Sequence, residues 1–165
     1  MRRSLIAGNW KMHKDLSESQ EFAKALVDNL AGKEFTADVI IAPTFPMLSA
    51  ISEIIKNSVI KLSAQNVHTQ SQGAFTGEIS AEMLRSVGCT HSIIGHSERR
   101  QIFGESDEFI REKLEALLAQ GLKPILCLGE SLEERENNLT SEKVSKQLRA
   151  ACGALTPEQA KNVIV

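Results

Sequence analysis

Short apolar runs alternate strictly with longer stretches at helical spacing, and this alternation constrains the fold of the chain more than any other feature. The apolar runs begin at residues 4, 38, 59, 90, 122 and 162. One repeat therefore takes about 32 residues, which suits one strand and one helix. Because the runs consist almost wholly of Val, Ile and Leu, they are typical of strands buried on both faces. The alternation predicts a parallel sheet with right-handed crossovers.

The helical stretches begin at recognisable capping residues. Asp15, followed three residues later by Glu18, predicts a helix from Leu16 to Leu30. The other helix starts are marked by Pro46, Ser80, Ser106, Ser131 with Glu134, and Thr156 with Pro157 and Gln159. Strands are predicted over residues 4–9, 38–42, 59–64, 90–95 and 122–129, and a sixth begins at residue 162.

Two architectures satisfy this pattern, an open doubly wound sheet and a closed (β/α)8 barrel. Eight repeats of this length would give about 250 residues, the usual size of the barrel. No strand is followed by the glycine-rich phosphate loops of nucleotide-binding sheets. The chain also ends inside an apolar run. We therefore predict one partial barrel domain over residues 1–165, with five βα units and the start of strand six. An open sheet, which would be complete at this length, stays the alternative.

The composition gives no sign of a nucleic-acid or membrane partner. The net charge is −2, so neither sign dominates, and no apolar run reaches the roughly 18 residues of a membrane span. The apolar segment at the N-terminus is too short for a signal peptide. Cys89, Cys127 and Cys152 lie far apart, which argues against a disulfide framework or a zinc site. We expect a cytoplasmic protein without cofactor or metal.

In both architectures the functional site lies at the C-terminal ends of the strands. The polar residues expected there are Asn9, Lys11, His13, Thr44, Gln65, Asn66, His96 to Arg100, Glu130 and Ser131. An amide, a lysine, a histidine and a carboxylate at one edge suit an anionic, oxygen-rich substrate. No cluster has metal-ligand spacing, and no serine lies in a Gly-x-Ser-x-Gly turn. Proton transfer is therefore favoured over metal or acyl chemistry.

At these residues the sequence resembles the triosephosphate isomerase family. The matching segments are residues 8–13 (GNWKMH), 63–66 (SAQN), 73–80 (GAFTGEIS), 92–100 (SIIGHSERR), 103–107 (FGESD) and 127–130 (CLGE). They occur in order, at every strand end. The resemblance implies a TIM barrel and an aldose–ketose isomerase of glycolysis and gluconeogenesis. Such an enzyme interconverts dihydroxyacetone phosphate and glyceraldehyde 3-phosphate through an enediol(ate).

The resemblance also implies individual roles. Lys11 would bind the substrate and offset the charge on the enediolate oxygen, and Asn9 would hydrogen-bond the same region. His96 would polarise the carbonyl and move protons between the two oxygens; this family is the standard example of a neutral histidine working with a glutamate base. Glu98, Ser97 and Cys127 would support these groups. Arg99, Arg100 and Glu105 are expected to form ion pairs.

The loop from Gln65 to Ile79 is about 15 residues long, a length that usually reflects function or assembly. In the resembled family this loop docks into a neighbouring subunit, with Thr76 near the partner's site. The resemblance therefore implies a homodimer of the complete protein. The residues assigned to this loop contact are Gln65, Phe75, Thr76, Gly77 and Glu78.

The general base of the family is a glutamate directly after strand six, and the mobile lid and glycine-rich phosphate turns come after that glutamate. These segments lie beyond Val165 in the family pattern, so we expect the 165-residue chain alone to be inactive. With strands one and six unpaired, it should also be sticky or poorly folded. An alternative is a non-catalytic phosphate-binding or assembly module. A Schiff-base aldolase is disfavoured because Lys61 and Lys123 do not lie at C-terminal strand ends.

Overall fold

The computed structural model describes residues 3–165, which form an α/β fold with one parallel sheet. The strands are β1 Ser4–Asn9, β2 Ala37–Ala42, β3 Ile60–Ala64, β4 His91–Ile94 and β5 Lys123–Leu126. The helices are α1 Leu16–Leu30, α2 Leu48–Ile55, α3 Ala81–Ser86, α4 Ser97–Gln101, α5 Asp107–Ala119, α6 Leu132–Glu136, α7 Thr140–Cys152 and α8 Pro157–Ala160, with a 3₁₀ turn at Phe45–Met47.

The five strands form one curled parallel sheet in the order β1-β2-β3-β4-β5. A doubly wound sheet reverses its strand order at a switch point, and no reversal occurs here. The sixth apolar run also joins in parallel. The Ile164 N–H donates to the Pro124 carbonyl at 2.9 Å, and the Leu126 N–H donates to the Ile164 carbonyl at 2.8 Å. The strand order is that of a barrel wall.

Side-chain caps confirm the predicted helix starts at Asp15, Ser80, Ser106, Ser131 and Thr156. Pro46 instead lies in the 3₁₀ turn before α2, which has no side-chain cap. The Asp15 carboxylate accepts from the Glu18 N–H, and the Glu18 carboxylate accepts from the Asp15 N–H. Capping boxes at Ser131 and Thr156 have the same geometry. Three strands are shorter than predicted, and β3 begins one residue late at Ile60. β4 stops before Gly95, which has φ +68°, and β5 covers only Lys123–Leu126 of the predicted 122–129.

The core lies between one face of the sheet and the helices. Every second strand residue contributes to it, because side chains alternate across a sheet. The buried cluster includes Ile41, Leu62, Ile94 and Leu126 from the strands and Ile51, Leu84, Ile110, Leu114 and Leu117 from the helices. Ile40 and Ile93 are also buried, but they lie outside this cluster, on the other face of the sheet. β1 forms one sheet edge, and Ile6 is 64 % exposed there.

A buried ion network ties α5 to two loops. The side chain of Lys113 is 1 % exposed, and its Nζ donates to Asn66 Oδ1 at 2.8 Å and to Glu105 Oε1 at 2.5 Å. Arg99 Nε donates to the same Glu105 oxygen at 2.5 Å. Burial lowers the pKa of Lys113, against the opposing effect of Glu105. Arg99 and Arg100 thus form ion pairs as predicted, the latter with Asp107.

We expect Lys113→Met to lower the free energy of unfolding by about 3 kcal/mol, because it leaves the buried Glu105 carboxylate short of a partner. Glu105 Oε2 already has no hydrogen-bond partner among residues 3–165. Urea unfolding of the protein measures the loss. The double variant Lys113→Met, Glu105→Gln should recover part of it, since the uncompensated charge is gone.

Arg111→Met is the matched control on the same helix. Arg111 is exposed and lies 3.7 Å from Glu115, so its removal should change stability by less than about 0.5 kcal/mol. Equal losses in the Lys113 and Arg111 variants would show that the network contributes nothing specific.

Candidate active site

Three loops that leave the C-terminal ends of β1, β3 and β4 meet at one edge of the sheet. Because all five strands run parallel, their last residues lie at the same edge, and the side chains that come after them converge. Lys11 after β1, Gln65 after β3, and His96 with Glu98 after β4 make direct contacts there. Residues far apart in the chain thus form one polar cluster.

Lys11 and Glu98 connect the first of these loops to the third. Lys11 Nζ lies 2.6 Å from Glu98 Oε1, and both side chains are about half exposed. The hydrogen bond from Lys11 is the main reason that the pKa of the Glu98 carboxyl lies below its ordinary value. The pair is therefore a charged one, with the ammonium group held at a fixed point at the edge of the sheet.

The backbone of Lys11 is held in the left-handed region, with φ +51°. This conformation costs a residue other than glycine on the order of 1 kcal/mol. Asn9 Oδ1 accepts from the Lys11 N–H at 2.9 Å. Gln65 Nε2 donates to the Lys11 carbonyl at 2.9 Å and to the Ala42 carbonyl at 2.8 Å. Two amide side chains thus stabilise the conformation that directs Lys11 toward Glu98.

His96 caps α4 with its ring. The His96 Nδ1 accepts from the Glu98 N–H at 3.3 Å, which leaves Nε2 as the ring nitrogen that can donate. Glu98 Oε2 lies 3.5 Å from the same nitrogen. The side chain of His96 is only 22 % exposed. His96 also lines a cavity at the end of β4.

Arg100 fixes the turn that presents His96. Its guanidinium donates to the Gly95 carbonyl at 2.8 Å, to Asp107 at 2.6 Å and to the Cys127 carbonyl at 3.3 Å. A Cβ atom on Gly95 would lie 3.0 Å from Arg100 and 3.1 Å from the Cys127 carbonyl oxygen. Only glycine fits here, at a positive φ and against the end of β5. Burial raises the pKa of the Cys127 thiol, which keeps it protonated.

A cavity of about 600 Å³ opens beside His96, between the ends of β4 and β5 and helices α6 and α7. Gln147 of α7 lines it. The Gln147 side-chain amide accepts from the Gly129 N–H at 2.9 Å and donates to the Gly129 carbonyl at 3.1 Å. Sequence reasoning missed this residue. Its signal is a glutamine on the apolar stripe of α7 that carries Val144 and Ala151.

Of the residues predicted for the dimer loop, Gln65 is bonded within the chain and the others are exposed. Gln65 lies at the base of the loop and binds the Lys11 backbone, so its amide is engaged within the chain. Phe75 lies at the tip, where its ring packs on His68 with centroids 4.3 Å apart, and it stays 44 % exposed. Thr76, Gly77 and Glu78 are exposed beside it. Met12, for which the sequence predicted no role, is 91 % exposed.

Metal-ligand clusters and membrane-spanning helices are both absent from the described part of the chain. Among residues 3–165, no group of three or more His, Cys, Asp or Glu side chains is arranged to hold a metal ion. Within the same residues, none of the helices combines the length and apolar character needed to cross a bilayer.

Comparison with known proteins gives one consistent family. The family model described as triosephosphate isomerase matches residues 4–165. The proteins named triosephosphate isomerase in Endomicrobium trichonymphae and Chloroflexus aurantiacus are each 46 % identical over 165 residues. Each match covers 100 % of this chain and 66 % of the relative.

A solved structure agrees with the sequence matches. The crystal structure of triosephosphate isomerase from Bartonella henselae aligns with a TM-score of 0.90 and 36 % sequence identity, over 99 % of this chain and 66 % of that chain. The predicted partial barrel is thereby confirmed. This chain spans 66 % of the length of the relatives it matches.

We expect Gln65→Met to lower the free energy of unfolding by about 1–3 kcal/mol, because the Lys11 and Ala42 carbonyls lose their shared donor. Chemical denaturation measures the loss, and the backbone amide shifts of residues 10–12 in NMR spectra should move with it. Gln70→Met is the control, since Gln70 is exposed at the surface of the same loop. Unchanged amide chemical shifts at residues 10–12 would contradict the proposal that Gln65 stabilises the Lys11 backbone.

Proposed function

The chain belongs to the triosephosphate isomerase family, and on that basis we propose that the complete protein interconverts dihydroxyacetone phosphate and glyceraldehyde 3-phosphate. The observation that carries the proposal is the contact of Lys11 with Glu98 directly beside the His96 ring. A fixed cation and a hydrogen-bond donor at one point suit a reaction in which negative charge develops on a substrate oxygen.

The reaction is a transfer of protons between neighbouring carbons and oxygens. A base removes a proton from the carbon beside the carbonyl, and the carbonyl oxygen becomes an enediolate oxygen. In the proposal, the His96 Nε2–H donates to that oxygen and then moves a proton between the two oxygens. A neutral imidazole can donate and recover this proton without a net change in charge. Return of the carbon-bound proton to the adjacent carbon gives the isomeric product.

Lys11 contributes charge rather than a proton in this scheme. Its ammonium group offsets the negative charge of the phosphate and of the enediolate, and Glu98 keeps it at the sheet edge in the free protein. Asn9 contributes by holding the Lys11 N–H and, in our proposal, by binding the substrate in the same region. Ser97 and Cys127 support His96 through the first turn of α4 and the end of β5.

We propose that neither Glu98 nor Glu130 is the base at the substrate carbon. Glu98 is bound to Lys11, and Glu130 accepts from Arg135 Nε at 2.8 Å and from Thr140 at 3.3 Å. The main cause of the lowered pKa is the hydrogen bond from Lys11 for Glu98 and from Arg135 for Glu130. Both are therefore weakened as proton acceptors. We propose that the base is the glutamate that comes after strand six in the family.

We also propose that residues 1–165 form part of one barrel domain and that the complete protein is a cytoplasmic homodimer. The single sheet and its continuous core support the first proposal. The exposed loop tip at Phe75 and Thr76, with Met12 exposed at 91 %, supports the second. In this arrangement Thr76 would approach the Lys11 region of the partner subunit.

We expect His96→Gln in the complete protein to lower kcat by about 10²- to 10⁴-fold, the usual contribution of a general acid–base residue. KM for the triose phosphate should change little, since Lys11 stays in place. A coupled assay of glyceraldehyde 3-phosphate formation measures both constants. His13→Gln is the matched control, because His13 is exposed on the same loop as Lys11. A His96 variant with unchanged kcat would refute the assigned role.

A polypeptide of residues 1–165 should show no isomerase activity above background, because its carboxylates near His96 are held in ion pairs. Adding the family's downstream segment, in the same chain or separately, should restore activity. Intact mass spectrometry verifies the polypeptide before the assay. Activity in residues 1–165 that disappears in His96→Gln would mean that one of these residues acts as the base. An inactive complete protein would instead favour a phosphate-binding or assembly module.

A further inference from the structure

A second cavity lies at the opposite end of the strands from the candidate active site. It measures about 380 Å³ and is bounded by the N-terminal ends of β4 and β5 and by the chain before them. Three of its lining side chains are cationic, namely Lys61, Arg85 and Lys123, and none is a carboxylate. The cavity is therefore a positively charged recess in a chain whose total charge is −2.

Within residues 3–165 the positive charges of this recess are only partly neutralised, by the single carboxylate of Asp38. Across residues 3–165, neither Arg85 nor Lys123 has a carboxylate oxygen within 4.0 Å. Lys61 Nζ lies 3.1 Å from Asp38, but Asp38 also forms an ion pair with Arg3 at 3.6 Å. One carboxylate thus faces several cations, and its pKa is lowered first by the hydrogen bond from Lys61. Within the described residues, the recess therefore holds more positive than negative charge.

His91 forms the buried wall of the recess. It is 3 % exposed, and it lies in register with Ser63 on β3 and with Lys123 on β5. Thr90 Oγ1 donates to the Leu62 carbonyl at 3.2 Å and lies 2.7 Å from His91 Nδ1. The Thr90 hydroxyl thus bridges the Leu62 carbonyl and the His91 ring.

The surroundings of His91 keep it neutral at physiological pH. Burial, followed by the charges of Lys123 and Lys61, lowers its pKa to about 4, and Asp38 opposes this effect. An anion bound beside the lysines would reverse the electrostatic part of the shift. His91 is therefore a built-in reporter of occupancy, separate from His96 at the other end of the strands.

We propose that this recess binds a phosphate group, carried by inorganic phosphate or by a small phosphomonoester. Lys61 and Lys123 supply compact positive charges, and Arg85 supplies a planar fork that can bind two phosphate oxygens at once. The volume is within the range of small-ligand cavities. The site is distinct from the proposed isomerase site, and its occupancy does not depend on isomerase activity.

The test is an NMR titration of the His91 imidazole nitrogens in the full-length protein near pH 7, with ionic strength held constant by potassium chloride. Inorganic phosphate and methyl phosphate are the two probes. A saturable change at His91 with either probe supports the site, and comparison of the two affinities identifies the form of phosphate that it prefers. A raised His91 pKa in the saturated protein should accompany the change.

Variants assign the binding to the recess. Lys123→Gln and Arg85→Gln should each weaken phosphate binding by about tenfold or more, the loss expected for one charge-assisted contact. Both residues are exposed, so folding should be preserved. Lys33→Gln is the control, because Lys33 is an exposed cation at the same end of the strands, outside this recess. An unchanged His91 signal, or equal effects in all three variants, would overturn the proposal.

Discussion

Parallel pairing of consecutive strands is the constraint on which the rest of this structure depends. Each helix must return the chain to the same edge before the next strand begins, so all strand C-termini lie at one edge and all N-termini at the other. Lys11, Gln65 and His96 share an edge for this reason alone, although they lie far apart in sequence. The recess lined by Lys61, His91 and Lys123 arises from the same constraint, because these residues lie near the N-terminal ends of three neighbouring strands.

Ion pairs serve different purposes at different depths in the fold. The Lys11–Glu98 pair is half exposed and contributes little to stability, but it defines where a positive charge lies at the site. The Lys113–Glu105 pair is buried and can be broken only at considerable cost, and it fixes the loops that begin at Asn66 and end at Glu105. The first pair therefore positions a charge at the site, and the second pair makes the surrounding loops rigid.

Local sequence rules predicted most of the secondary structure and part of the candidate site. Capping residues located the helices, and continuous apolar runs located the strands within one or two residues, apart from β5. Polar residues after the strands identified Lys11, His96 and Glu98. Lys113 and Gln147 were missed because their burial requires partners from distant elements, and a lysine or glutamine on a helix is ordinarily solvated. Gln65 was predicted at this edge, but its contact with the Lys11 backbone was not, since it depends on the left-handed conformation of Lys11.

The strand order has a consequence for how the chain can be folded during synthesis. Each strand pairs with the strand made immediately before it, so the sheet can grow by one strand at a time as the polypeptide emerges from the ribosome. Lys11 and Glu98, however, are 87 residues apart. The wall of the barrel can therefore assemble progressively, while the charge pair at the candidate site forms only after β4 has been added. During chain growth the first strands of the sheet can therefore pair before the Lys11–Glu98 ion pair forms.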